Sequence, residues 1–70
     1  MKSLSIRFSE RLRELRKERA LSQEEFAAAC GFDRTYVSGM ERGVRNPSLA
    51  AIETLAAALG LSVGDLFKGL

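Results

Sequence analysis

The side chains best equipped for chemistry are hydrogen-bond donors gathered in one stretch. Arg34 and Thr35 stand next to each other at the head of the segment Arg34 to Arg42. An arginine fork matches the O6/N7 edge of guanine, and a threonine offers a hydroxyl for base edges and a methyl that suits thymine. Ser38 and Gly39 follow one turn later. Both are small and would let a helix come close to base edges, although glycine inside a helix costs about 1 kcal/mol relative to alanine. Gln23 falls in the first turn of the preceding helical segment, where its amide can donate to a phosphate. These residue types at this spacing suit the reading of double-stranded DNA.

The parts for other chemistries are missing. There is no histidine and one cysteine, Cys30. The usual general base is therefore lacking, an internal disulfide is impossible, and one thiol is too few ligands for a metal site. No phosphate-cradling glycine loop occurs either. Catalysis, cofactors and metals are not expected, nor is a small-molecule ligand in so small a core. Cys30 closes the run Phe26-Ala27-Ala28-Ala29-Cys30 and reads as a small apolar residue on an inner helix face. One free thiol and no signal peptide point to a reducing cytoplasm. No apolar run approaches the length that spans a membrane.

The 70 residues carry a net charge of +2, which says little by itself. Its distribution says more: residues 1–46 hold ten of the eleven Lys/Arg and seven of the nine Asp/Glu. The basic excess lies in the first two thirds, where an electrostatic face would form.

Helices must position these donors, because no alternating strand pattern exists and 46% of residues are apolar. Phe8, Leu12 and Leu15 make an i, i+4, i+7 stripe on a first helix over about 5–19. Its Arg7, Arg11, Arg13, Lys17 and Arg19 interleave with Glu10, Glu14 and Glu18 and read as a solvated face. Ser22 and Glu25 form a capping box opening a second helix, about 23–30, with Phe26, Ala27 and Cys30 inward and Gly31 as its stop. Asp33 caps a third, about 34–42, with Val37 and Met40 inward and Gly43 as its stop. Pro47 marks the entry to a fourth, about 49–59, whose inner stripe is Leu49, Ile52, Leu55, Ala56 and Leu59. Gly60 ends it, and Ser62 to Asp65 repeats the cap spacing to open a fifth, about 63–68. The expected fold is a single all-α domain of five helices over residues 1–70.

Residues 23–43 then read as a helix-turn-helix, with a short glycine-containing turn between two short helices. A B-DNA major groove admits one helix, read by its N-terminal side chains, while the preceding helix braces it and points its own N-terminus at a phosphate. Small Ala27 suits the close crossing of the two.

The motifs Leu21-Ser22-Gln23-Glu24-Glu25-Phe26-Ala27, Gly31, Glu41-Arg42-Gly43 and Arg45-Asn46-Pro47-Ser48-Leu49 resemble the Cro/phage-repressor (XRE-type) helix-turn-helix family over about residues 8–67. Asp33 to Gly43 is similar to the recognition helix of restriction–modification controller proteins, free-standing five-helix homodimers that activate or repress their own promoter. Phe26, Val37 and Met40 stand where leucine or isoleucine is more usual. The resemblance implies a lambda-repressor-like fold and base contacts from Arg34 and Thr35. It also implies backbone contacts from Gln23, Tyr36, Arg42, Arg45 and Asn46, and a structural ion pair between Arg16 and Glu41. Tyr36 is expected at the surface, since Val37 and Met40 fill the inward positions.

Leu61, Val63, Leu66, Phe67 and Leu70 are many apolar residues for the final stretch. Some must close the core, and the rest would be exposed in a monomer. A homodimer through helix five and the end of helix four would bury them and set two recognition helices about 34 Å apart, one DNA turn. The alternative is that this patch docks another protein, as in an antitoxin or a phage-type repressor. The absence of a further segment after helix five favours a stand-alone regulator.

Overall fold

The computed structural model describes all of residues 1–70. Five helices follow one another: α1 Leu4–Glu18, α2 Gln23–Cys30, α3 Arg34–Glu41, α4 Leu49–Leu59 and α5 Val63–Leu66. No strand is present. Serine side chains open four of the five. Ser3, Ser22, Ser48 and Ser62 each accept from a backbone N–H three residues on. Ser22 and Glu25 complete a reciprocal capping box, and those hydrogen bonds hold the Glu25 carboxyl below its ordinary pKa.

Three helices, α1, α3 and α5, differ from expectation at their ends. α1 starts and stops one residue early, because Ser3 caps it and Ala20 turns into the left-handed region at φ 55°. That conformation favours glycine, so nothing in an alanine announced the stop. α5 is a single turn. Asp33 holds the N-cap position of α3 with extended backbone, yet its side chain makes no capping hydrogen bond.

The core draws on every helix: Phe8, Leu12 and Leu15 from α1, Phe26 and Ala27 from α2, Val37 and Met40 from α3, Leu55, Ala56 and Leu59 from α4, and Leu66 from α5. Cys30 is half-buried, and that burial pushes its thiol pKa up. Two expected placements are corrected. Leu49 is 84% exposed, because it is the first residue of α4 and lies beyond the edge of the core. Ala51 is buried instead. Leu66, expected at a dimer interface, is fully buried. As the last residue of one short turn, it is the side chain by which α5 anchors to the rest of the fold.

The basic face of α1 is corrected in part: Lys17 is exposed as expected, but the arginines of α1 and Arg19 at its C-cap reach other parts of the fold. Arg19 Nε donates to the Leu59 carbonyl at 2.9 Å, at the C-terminus of α4. Arg11 donates to Leu66 at 3.3 Å and Asp65 at 2.9 Å, at the end of α5, and Arg7 to Leu70 at 2.7 Å. Arg13 reaches the Glu41 carbonyl of α3 at 3.4 Å. The last carbonyls of a helix lack intrahelical partners and carry the negative end of its dipole, so cations stabilise them. Long side chains from one helix thus fix where three others end.

Leu66→Ala is expected to cost about 2–5 kcal/mol, the range for truncating a buried leucine. Urea denaturation checks this at two protein concentrations. A loss that vanishes at the lower concentration would return Leu66 to an intersubunit role.

Candidate nucleic-acid interface

α2 and α3 cross closely, and the turn between them begins where Gly31 takes φ 72° and closes α2. Phe32 N–H then bonds back to the Ala27 carbonyl at 2.9 Å. Ala27, only 2% exposed, lies in the packed region between the helices and leaves room for the crossing. With Val37, Met40 and Glu41 turned inward, the opposite face of α3 points to solvent. Arg34 and Thr35 are exposed on its first turn, Ser38 is half-buried one turn on, and Arg42 is exposed just past its end. The following loop carries exposed Arg45 and Asn46. Three guanidinium groups and several neutral donors therefore share the side of the molecule built by α3 and its outgoing loop. Their character is cationic and hydrogen-bond-donating, which is what a phosphate backbone with base edges between its strands requires.

The support beneath this face is ionic. Arg16 of α1 meets Glu41 of α3 through two parallel hydrogen bonds, Nε to Oε2 at 2.6 Å and Nη2 to Oε1 at 2.9 Å. Both residues are buried. Hydrogen bonding to Glu41 raises the already high Arg16 pKa further, although burial opposes it. Arg16 Nη1 also donates to the Leu21 carbonyl at 2.7 Å, and Gln23 Nε2 donates to Glu41 Oε1 at 3.1 Å. The cluster ties α1, the start of α2 and the end of α3 together. Every buried side-chain nitrogen and oxygen in the molecule has a partner.

Three expectations for the interface change in this light. The Gln23 amide is not free: one of its hydrogens is committed to Glu41, leaving the second and the backbone N–H of the helix start for an anion. Tyr36 is half-buried rather than a surface residue, because its ring packs edge-on against Phe32 with centroids 5.1 Å apart. Its other neighbour is the Arg45 guanidinium, 5.2 Å from the ring centroid. Gly39 does not face outward at all; it is buried, and the Arg45 stem lies over it. One contributor escaped sequence reasoning. Ser5 Oγ donates to Asn46 Oδ1 at 2.8 Å, which ties the Asn46 amide to the first turn of α1. The two are 41 residues apart, and no spacing rule links them.

The apolar patch expected at the C-terminal end is smaller than five residues and continues elsewhere. Val63 is 43% exposed, whereas Leu61, Phe67 and Leu70 are half-buried. Phe67 stacks on Phe8 at 5.3 Å. It also lines a shallow cleft with Leu4, Pro47 and Ile52. Exposed Leu49 lies one turn before Ile52 on α4.

Comparison with known proteins agrees with this architecture. The helix-turn-helix family profile matches residues 12–66. The chain belongs to the helix-turn-helix family. Among similar proteins of this family, Control protein C.MunI of Mycoplasma sp is 46% identical over all of this chain and 96% of its own length. The crystal structure of the restriction–modification controller protein C.AhdI from Aeromonas hydrophila superposes with a TM-score of 0.86 at 50% identity, covering 89% of this chain and 94% of that one. The biofilm regulator SinR, solved in complex with DNA, superposes at 0.80 with 34% identity, over 87% of this chain and 98% of SinR. The family's five-helix, all-α fold is the fold found here.

Glu41→Ala should unfold the support of α3 by leaving Arg16 buried and unpaired. The expected loss is about 3–5 kcal/mol, against roughly 0–1 kcal/mol for an exposed pair. Chemical denaturation distinguishes the two ranges, and a loss below about 1 kcal/mol would contradict a supporting role.

Proposed function

We propose that the chain is a sequence-specific DNA-binding transcription regulator of the restriction–modification controller kind. The observation that carries this is the outward face of α3, with Arg34 and Thr35 exposed on its first turn and the helix braced by the buried Arg16–Glu41 pair. In this reading the protein acts as a homodimer on a pseudo-palindromic operator. α3 of each subunit enters a major groove, and the two grooves lie about 34 Å apart. Arg34 and Thr35 contact base edges, with Ser38 beside them. Arg42, Arg45, Asn46 and the free donors of Gln23 hold phosphates and fix the register. Likeness to C.MunI and C.AhdI favours autoregulation, and with it a cytoplasmic protein that works by binding and not by catalysis.

The subunit contact belongs to the partly exposed apolar surface: exposed Val63 with half-buried Phe67, Leu61 and Leu70, extended by exposed Leu49 and Leu4 and half-buried Ile52. Burying such a surface against a copy of itself is the simplest way to cover it and yields the two-fold symmetry that a palindromic site needs.

Fluorescence anisotropy on the DNA just upstream of the protein's own gene, against scrambled DNA at two salt concentrations, tests the reading. Nanomolar, salt-sensitive binding that prefers the upstream DNA is expected. Arg34→Ala should cost about 1–3 kcal/mol per half-site on the preferred DNA and little on scrambled DNA. Arg45→Ala should weaken both more evenly and flatten the salt dependence. Equal losses on both DNAs for Arg34→Ala would remove it from base readout. A monomer in sedimentation at micromolar concentration would overturn the dimer.

A further inference from the structure

Gly39 stands in the middle of an eight-residue helix, where glycine is unfavourable, and its backbone does not require it. Gly31, Gly43, Gly60 and Gly69 take positive φ; Gly39 does not. The three atoms nearest to a side chain at Gly39 would all belong to the stem of Arg45. A Cβ there would collide with Arg45 Cγ and sit 3.2 Å from Cβ and 3.6 Å from Cδ. The backbone repeats the contact, since the Gly39 carbonyl accepts from both Val44 N–H at 3.0 Å and Arg45 N–H at 3.2 Å. One turn back on the same helix face, the Tyr36 ring lies under the Arg45 guanidinium.

From these contacts we infer that Gly39 is a positioning residue for Arg45: it seats the arginine stem along α3 so that the guanidinium is delivered to DNA from a fixed place. The inference rests on the proposed reading of α3 and its loop as the DNA face, and it assigns Gly39 a role different from clearance for base edges. An unrestrained arginine loses rotamer freedom when it grips a phosphate. A stem laid over glycine and a head stacked on Tyr36 take that loss in the free protein, before DNA arrives. Asn46, the next residue, is held likewise by Ser5. The loop after α3 is thereby a preset extension of the reading helix. Alanine at position 39 would improve the helix and dislodge Arg45, because the obstruction lies at the arginine's root, where swinging the far end of the side chain cannot relieve it.

The test is a double-mutant cycle with Gly39→Ala, Arg45→Ala and the combination, titrated by anisotropy against the upstream duplex across a salt series. Gly39→Ala is expected to weaken binding roughly tenfold, the scale of one charge-assisted phosphate contact, and to lower the salt slope by about one, as Arg45→Ala does. The combination should bind no more weakly than Arg45→Ala alone. Additive losses would mean that Gly39 meets DNA itself and would overturn the inference, as would Gly39→Ala binding like the wild type. If Gly39→Ala melts at a lower temperature, adding Arg45→Ala should restore the melt, since the colliding Cγ is gone; failure to restore it counts against the seat. Should wild type prefer no DNA, the regulatory reading falls, and the seat is judged in the free protein. Nuclear Overhauser cross-peaks between the Gly39 Hα and Arg45 Hγ protons are then expected, and their absence refutes it.

Discussion

A helix can read a major groove only if most of its surface is outside the protein, and such a helix has little to hold it in place. α3 has eight residues, and alone it would not be stable in water. The buried Arg16–Glu41 pair answers this constraint. It fixes the C-terminal end of α3 to α1 from beneath, through two parallel hydrogen bonds that permit only one orientation of the guanidinium plane. Gln23 adds the start of α2 to the same carboxylate. The two helices of the motif and the helix behind them thus share one polar joint, and the motif's Phe26, Val37 and Met40 belong to the apolar core. A buried ion pair is weak evidence for added stability, since desolvation offsets the attraction. Its geometric selectivity is what an exposed reading helix needs.

The same economy extends through α1. Four of its arginines end on carbonyls of other elements or of the C-terminal stretch. A 70-residue chain has a small apolar core, and charged side chains that terminate neighbouring helices supplement it. The arginines left over for a partner are those beyond this network, Arg34, Arg42 and Arg45, on α3 and its outgoing loop. In the proposed reading, that division separates structural arginines from recognition arginines within one basic chain.

Much of this was legible in the sequence because it is written in local rules. Ser22 and Glu25 three apart, Gly31 and Gly60 as stops, and Pro47 before α4 all concern residues within one turn of each other. The helix-turn-helix followed from those caps. The misplacements concern contacts between distant residues. Arg7, Arg11 and Arg19 alternate with glutamates just as a solvated face would, and only the tertiary fold brings Leu70, Asp65 and Leu59 to them. Leu49 matches the α4 stripe by spacing, yet the stripe extends past the edge of what it packs on. Gly39 and Ser5 are small polar-compatible residues whose partners, Arg45 and Asn46, are known only once the loop has folded back.

Base readout by α3 makes a local claim about DNA, and methylation interference addresses it most directly. Methylating guanine N7 in the major groove of the bound duplex should abolish binding at one position in each half-site, with the two positions about one helical turn apart. The interference at those guanines should vanish in Arg34→Ala while effects elsewhere persist. A pattern unchanged by Arg34→Ala, or interference confined to the minor groove, would contradict the placement of α3 in the major groove with Arg34 at its reading end.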